Sequence, residues 1–219
     1  MESPSITVRR RKAKARERLL EAGFRLFSSR SIESVNLTEI AESAHIGIVT
    51  LYRYVKTKPG LAIEIATKKW LDYYDEVEKV YALRHGELMT AAEELEFFID
   101  SIIELYRNHK DLLRFNRNFD TYVKHKGCTA EQMRPYNASV NVFARKFHTV
   151  YRKAQEDGTL EVRIPEDRFF VSTLYTVLSV AGKYAEGLVY PPEELSDMTE
   201  ELLMLKDMIL AGYAKKSGS

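Results

Sequence analysis

The sequence predicts an all-α fold: an N-terminal domain of three short helices, followed by a larger helical body. Apolar residues recur at spacings of three and four along almost the whole chain. Nowhere do Val and Ile alternate with polar residues between turn signals, as a sheet would require. The 219 residues suffice for a small domain plus a larger one, and 45% hydrophobic with 30% charged residues is ordinary globular composition. Residues 1–58 and 59–219 are the expected domains.

Residues 1–8 read as loose. Seven cations follow among residues 9–18: Arg9, Arg10, Arg11, Lys12, Lys14, Arg16 and Arg18. Such an arm gains affinity for phosphates by counterion release and can reach into a minor groove. The first helix spans 10–28, with Leu19, Ala22, Phe24, Leu26 and Phe27 on its apolar side, and ends at Ser28-Ser29-Arg30-Ser31. The chain is organised around the next stretch, NLTEIAESAHIGIVTLYRYVKTK, from Asn36 to Lys58. Asn36 can cap a helix, with Glu39 three residues on to close a capping box. Leu37, Ile40, Ala41 and Ala44 give that helix one apolar face. His45-Ile46-Gly47 breaks the pattern, and a second helix begins near Ile48. It buries Leu51 and Val55 and shows Ile48, Val49, Thr50, Tyr52 and Arg53, with no acid among them. Two short helices about three residues apart, the second acid-free and partly basic, follow the plan of a helix-turn-helix.

The body reads as consecutive helices. Residues 59–83 form a long connector opened by Pro59, whose fixed φ suits a first turn. Helices at 90–108, 110–125 and 129–156 follow, broken at Asn108-His109, Lys126-Gly127 and Asp157-Gly158. Two more span 165–188 and 193–214. The first carries Phe170, Leu174, Val177, Ala181, Tyr184 and Leu188, spaced 4, 3, 4, 3, 4; the second carries Leu195, Met198, Leu202, Leu205 and Ile209, spaced 3, 4, 3, 4. Near-heptad seams on adjacent helices are what two copies need to pack as a four-helix bundle, and burial against the chain's own body gives the same spacing.

Charge is uneven. Residues 1–60 hold 12 Lys and Arg against 6 Asp and Glu, leaving 21 against 26 in the rest. A basic head on an acidic body presents one end to a polyanion. The single cysteine, Cys128, excludes an intramolecular disulfide framework and fits a reducing cytoplasm. No apolar run approaches the ~20 residues of a membrane span, and the basic N-terminus lacks a signal peptide's apolar core. There is no Gly-x-Ser-x-Gly, no His-Glu-x-x-His and no glycine-rich phosphate loop, and the histidines are unpaired along the chain. No catalytic residue, metal ligand or cofactor is therefore expected.

Leu19-Leu20 with Ala22 and Phe27, then Asn36 with Ile40-Ala41, then Thr50-Leu51-Tyr52 with Tyr54, Lys58 and Leu61, together resemble the DNA-binding domain of the tetracycline-repressor (TetR) family. Three positions depart from that pattern: His45 replaces the usual turn glycine, Gly47 replaces a Ser-like cap, and Ile48 and Val49 are apolar where small or polar residues are usual. The DNA-contacting set is then Arg10, Arg11, Asn36, Thr38, Gly47, Ile48, Val49, Thr50, Tyr52, Arg53, Tyr54 and Lys58. Thr50 suits a phosphate or base edge and Arg53 is the long-reach contact; Ile48 and Val49 suit thymine methyls. Tyr52 places its hydroxyl on a phosphate by the resemblance, Tyr54 contacts the backbone or packs, and Lys58, at the start of the next helix, holds a phosphate.

The resemblance also implies a homodimer on palindromic operator DNA, a repressor released by a small-molecule inducer, and dimerisation through the last two helices. On those helices the interface residues are Leu174, Val177, Ala181, Met198, Leu202, Leu205 and Ile209. With 13 Tyr and 10 Phe in the chain, the expected ligand wall is Trp70, Tyr74, Phe98, Tyr106, Phe119, Tyr122, Phe147 and Tyr175. The rival reading is a helical enzyme or small-molecule carrier with a vestigial DNA-binding head.

Overall fold

A computed structural model describes residues 4–187 and 197–215, with side chains from residue 10. The helices are α1 (Pro4–Ser29), α2 (Leu37–Ser43), α3 (Ile48–Tyr54), α4 (Lys58–Leu83), α5 (Ala91–Asn108), α6 (Lys110–Lys126), α7 (Ala130–Asp157), α8 (Glu166–Phe170), α9 (Thr176–Ala185) and α10 (Thr199–Tyr213). A 3-10 turn, Ile32–Ser34, precedes α2, and a π turn, Val171–Tyr175, joins α8 to α9. Among the described residues no strand forms, only an isolated bridge between Leu160 and Ala214. The all-α fold is as expected.

Two boundaries differ from the expected ones. The first helix begins at Pro4, six residues ahead of the expected start at residue 10, so the cations from Arg10 on lie well inside it. The last helix begins at Thr199, and the expected seam residues Leu188 and Leu195 lie outside the described residues.

The chain divides into two compact units. One takes the chain up to Trp70 together with Arg114–Ser139; the other takes Leu71–Leu113 and the chain from Val140 on. Helices α4 and α7 each pass from one unit into the other.

The first unit is built on the apolar side of α1. Leu19, Ala22, Phe24 and Phe27 are buried, as are Ile40, Ala41, Leu51, Val55, Leu61, Ala62, Ile65 and Ala66. Gly23 allows close approach, since a Cβ there would stand 2.7 Å from Ile65 Cδ1. Phe115 and Phe119 of α6 are fully buried, and the Phe24 and Phe115 rings lie 5.4 Å apart. Asn118 Nδ2 donates to Phe27 O at 2.8 Å and Arg30 O at 3.2 Å, which satisfies carbonyls left open at the end of α1.

The second unit centres on α5, whose Leu95, Phe98, Ile99, Ile103 and Tyr106 are buried. Thr90 and Glu93 close a capping box at its start. Asp157, at the end of α7, accepts the Ala91 N–H at 2.7 Å, so one helix terminus completes another. Glu94 is fully buried; it accepts from Tyr81 Oη at 2.8 Å. Lys153 Nζ stands 2.7 Å from its second oxygen, as an ion pair without hydrogen-bond geometry. That set pins α4, α5 and α7 in one register, since removing one member would strand a buried charge. Helix α10 packs on α5 and α9, and Tyr106 Oη accepts the Met198 N–H at 3.0 Å.

Candidate nucleic-acid interface

The α2–turn–α3 geometry follows from local chemistry. Asn36 caps α2 in an extended conformation, and Glu39 reaches back to its N–H at 2.9 Å. Arg30 pairs with Glu39, and together with the Asn36 N–H it holds this carboxyl below the ordinary carboxylate range. Helix α2 ends in a Schellman motif: His45 N donates to Glu42 O at 3.0 Å and Ile46 N to Ala41 O at 3.0 Å. That motif needs a left-handed residue, and His45 supplies it at φ 51°. Gly47 opens α3 with its carbonyl alone, accepting from Thr50 N at 2.8 Å and Leu51 N at 3.1 Å, without a side-chain cap. The departures at His45 and Gly47 thus leave the turn intact.

Leu51 and Val55 are buried under α3, while Val49 and Tyr52 are 74% and 59% exposed. Ile48, Arg53, Gly47, Thr38 and Asn36 are exposed as well, and Thr50 is half-buried. Arg53 Nη2 donates to Thr50 Oγ1 at 3.3 Å, which places the guanidinium over the same face. Tyr54 is half-buried and its hydroxyl donates to Lys12 O at 3.4 Å, so it packs and ties α3 to α1. Arg10, Arg11, Lys12 and Lys14 are exposed on α1, while Arg16 pairs with Glu64 of α4. The face so assembled is apolar and hydrogen-bonding at α3, basic along α1, and free of acids among the residues of α3.

Lys58 is placed otherwise than expected. Its ammonium donates to three main-chain carbonyls, Ile32 O at 2.8 Å, Glu33 O at 2.9 Å and Val35 O at 2.9 Å. Burial lowers its pKa, a shift that neighbouring Glu33 opposes. All three donors of the side chain are engaged within the protein.

The expected ligand residues do not come together. Trp70, Phe119 and Tyr122 are buried in the first unit, where Trp70 Nε1 donates to Asn116 Oδ1 at 3.0 Å. Phe98, Tyr106 and Phe147 are buried in the second unit, Tyr74 packs edge-on to Phe143, and Tyr175 is 54% exposed. The second unit has a cavity of about 220 Å³ that none of these eight lines; its wall includes Tyr73, Val77, Val80 and Phe97, with Glu76, Glu104 and His109. Aromatics at helical spacing here fill the core, and the cavity lies along the neighbouring positions of α4 and α5.

The expected interface residues lie mostly inward within the single chain. Val177, Ala181, Met198, Leu202 and Ile209 are buried in the chain's own second unit, and Leu174 and Leu205 are half-buried. The apolar groups that these helices expose are Val171 and Tyr175 on the π turn and Met204 and Met208 on α10. Among the described residues no three His, Cys, Asp or Glu side chains group as metal ligands, and no helix is long and apolar enough to cross a membrane.

A three-helix head with this turn and exposed second helix, on an all-helical body, defines the class of helix-turn-helix DNA-binding regulators. Residues 19–65 match the family described as bacterial regulatory proteins, tetR family. The probable HTH-type transcriptional regulator YttP of Bacillus subtilis (strain 168) is 24% identical over 104 residues. That match takes in 48% of this chain, and the chain spans about half (49%) of the length of that curated relative. Among solved structures, the transcriptional regulator FadR from Bacillus subtilis, in complex with stearoyl-CoA, superposes with a TM-score of 0.68 at 14% identity, over 90% of this chain and 98% of FadR. The ketosteroid transcriptional regulator KstR2 of Mycobacterium tuberculosis gives a TM-score of 0.64 at 15% identity, over 92% and 95% of the two chains. The head of the chain thus matches the tetR family of bacterial regulatory proteins, and its fold is the one that these solved regulators share.

Proposed function

We propose that the chain is a cytoplasmic homodimer that represses transcription by binding palindromic operator DNA, and that a small-molecule inducer releases it. The exposed, acid-free face of α3 carries the reading, because its chemistry matches a major groove. Ile48, Val49, Thr50, Tyr52 and Arg53 read or position the DNA, and Arg10 and Arg11 add phosphate contacts from α1. Helical geometry along α1 favours contact with the backbone over threading of a minor groove.

The division of labour falls at Lys58, with residues 1–58 for DNA and 59–219 for ligand and dimer. The complex of FadR, which shares the fold, with stearoyl-CoA supports a ligand role for the chain. Val171, Tyr175, Met204 and Met208 form the dimer face, since an isologous contact needs apolar groups the monomer leaves exposed. Release follows linkage: an inducer that prefers the conformation with misplaced heads lowers DNA affinity by its differential affinity. Helix α4, shared by both units, is the covalent route.

Selection of bound DNA from a random duplex library at two salt concentrations tests this reading. A palindrome with half-sites about one helical turn apart is expected. Salt-sensitive binding with no enriched sequence would reduce the head to a non-specific clamp.

A further inference from the structure

Lys58 stands four residues beyond Tyr54 and accounts for every donor it has on the far side of the motif. We propose that Lys58 is a positioning residue for DNA recognition, a clamp that closes the two ends of the helix-turn-helix on each other, and not a phosphate ligand. The proposal rests on the reading of the head as a DNA binder.

The carbonyls converge for a physical reason. Ile32–Ser34 is a single 3-10 turn in which Ile32 O accepts the Val35 N–H at 3.3 Å; the last carbonyls of a helical turn lack helical N–H partners, and such an end carries the negative end of the peptide dipoles. Val35 then turns extended, at φ −86° and ψ 128°, and contributes its own carbonyl to the group. An ammonium is a compact point charge with three donors, which suits three carbonyls around one position. A cation at a C-terminal turn is the side-chain form of a C-cap. The neighbouring groups are consistent: the Tyr122 ring of α6 lies 5.8 Å from Nζ, and Lys126 is drawn to Glu33 Oε1 at 2.9 Å rather than to the same carbonyls.

The span of the contact gives it a role. Val35 directly precedes Asn36, the cap of α2, and Lys58 is the first residue of α4, three beyond Val55. The bond from Lys58 to Val35 O therefore joins the residues on either side of α2, the turn and α3. Closing that loop fixes the angle at which α3 is presented, which a sequence-reading helix needs and a phosphate contact does not supply. Thr57 reinforces the same end by accepting the Gly60 N–H at 3.1 Å. Turning Lys58 outward to a phosphate would take this donor from the Glu33 and Val35 carbonyls and leave Ile32 O with the Val35 N–H alone.

The test uses the full chain with Lys58→Met and Lys58→Arg, measured on the selected duplex and on a duplex of unrelated sequence across a salt series. Lys58→Met should lose about tenfold or more on the selected duplex, keep its affinity for the unrelated one, and keep the slope of log affinity against log salt. Lys58→Arg should not rescue, because a planar guanidinium cannot direct three donors to carbonyls around a point. Without DNA, the amides of Ser34 and Val35 should exchange faster in both variants. A slope reduced by about one, with equal loss on every duplex and rescue by Arg, would overturn the clamp in favour of a phosphate contact. Wild-type affinity in Lys58→Met would overturn it as well. If Lys58→Met does not fold, Lys58→Arg carries the same comparison. A wild-type chain that binds no duplex would remove the DNA reading, and the positioning role with it. The exchange rates of Ser34 and Val35 separate that failure from failure of the clamp, which unchanged rates would reveal.

Discussion

His45 holds a backbone conformation that L-residues other than Gly and Asn adopt at a cost, and it does so because the Schellman motif ending α2 has no alternative. His45→Gly removes the Cβ conflict, and since the side chain is exposed nothing else is lost. The variant should gain up to about 1 kcal/mol in urea unfolding, less the added freedom of glycine in the unfolded chain. His45→Val, β-branched at positive φ, should lose stability in the same assay. Asp157 gives a pH-dependent counterpart. Burial raises its pKa, but the N–H groups of Thr159 and Ala91 and the Thr159 hydroxyl outweigh that, leaving it below the ordinary value. A depressed carboxyl contributes stability fully above its unfolded pKa, near 3.8, and loses it as pH falls through the lower folded value. The gap in unfolding midpoint between wild type and Asp157→Asn should therefore be constant above about pH 5 and narrow below pH 4. A gap independent of pH would show that Asp157 contributes no charge-dependent stability.

At the scale of elements, α3 separates folding from the proposed recognition face, because Leu51 and Val55 face inward while Val49 is 74% exposed. Val49→Glu should leave the unfolding midpoint within the scatter expected of a surface change, and should abolish operator binding by setting a carboxylate against phosphate and base edges. Parallel loss of stability would mean that α3 is not the free face described. This element was legible in the sequence because cap, break and acid-free run are all local signals. The helices 90–108, 110–125 and 129–156 were equally legible and emerge as α5, α6 and α7 within a residue or two. Their ends are set by Thr90, Asn108, Gly127 and Gly158, residues whose turn chemistry acts within a few positions. The role of Lys58 was not legible, because the carbonyls it binds lie 23 to 26 residues away and no local pattern announces their convergence. The start of α1 at Pro4 was missed as well, because residues 4–8, Pro-Ser-Ile-Thr-Val, include no strong helix former.

On the scale of the molecule, the last helices show why periodicity names a buried stripe without naming what buries it. The 4, 3, 4, 3 spacing through Val177 and Ala181, and 3, 4, 3, 4 through Met198, Leu202 and Ile209, is the spacing of the chain's own core. In the proposed dimer the partner uses the opposite stripe, where Met204 and Met208 are 65% and 71% exposed one turn apart on α10. Unbranched methionines suit such a surface, since they adapt to a facing copy at little packing cost. Met208→Glu should give monomers in sedimentation at micromolar concentration while the helical signal and unfolding midpoint are retained. Leu202→Ala, in contrast, should cost about 2–5 kcal/mol of stability through the cavity it opens and leave the association constant of the folded fraction unchanged. The reverse pattern, dissociation by Leu202→Ala with stability intact and a persisting dimer in Met208→Glu, would return the interface to the inner stripe. On the proposed dimer, where two heads read a palindromic site at once, Met208→Glu should also weaken operator binding steeply while a half-site duplex is bound as before. Equal loss on whole and half sites would show that α10 acts on the head through the fold and not through a second copy.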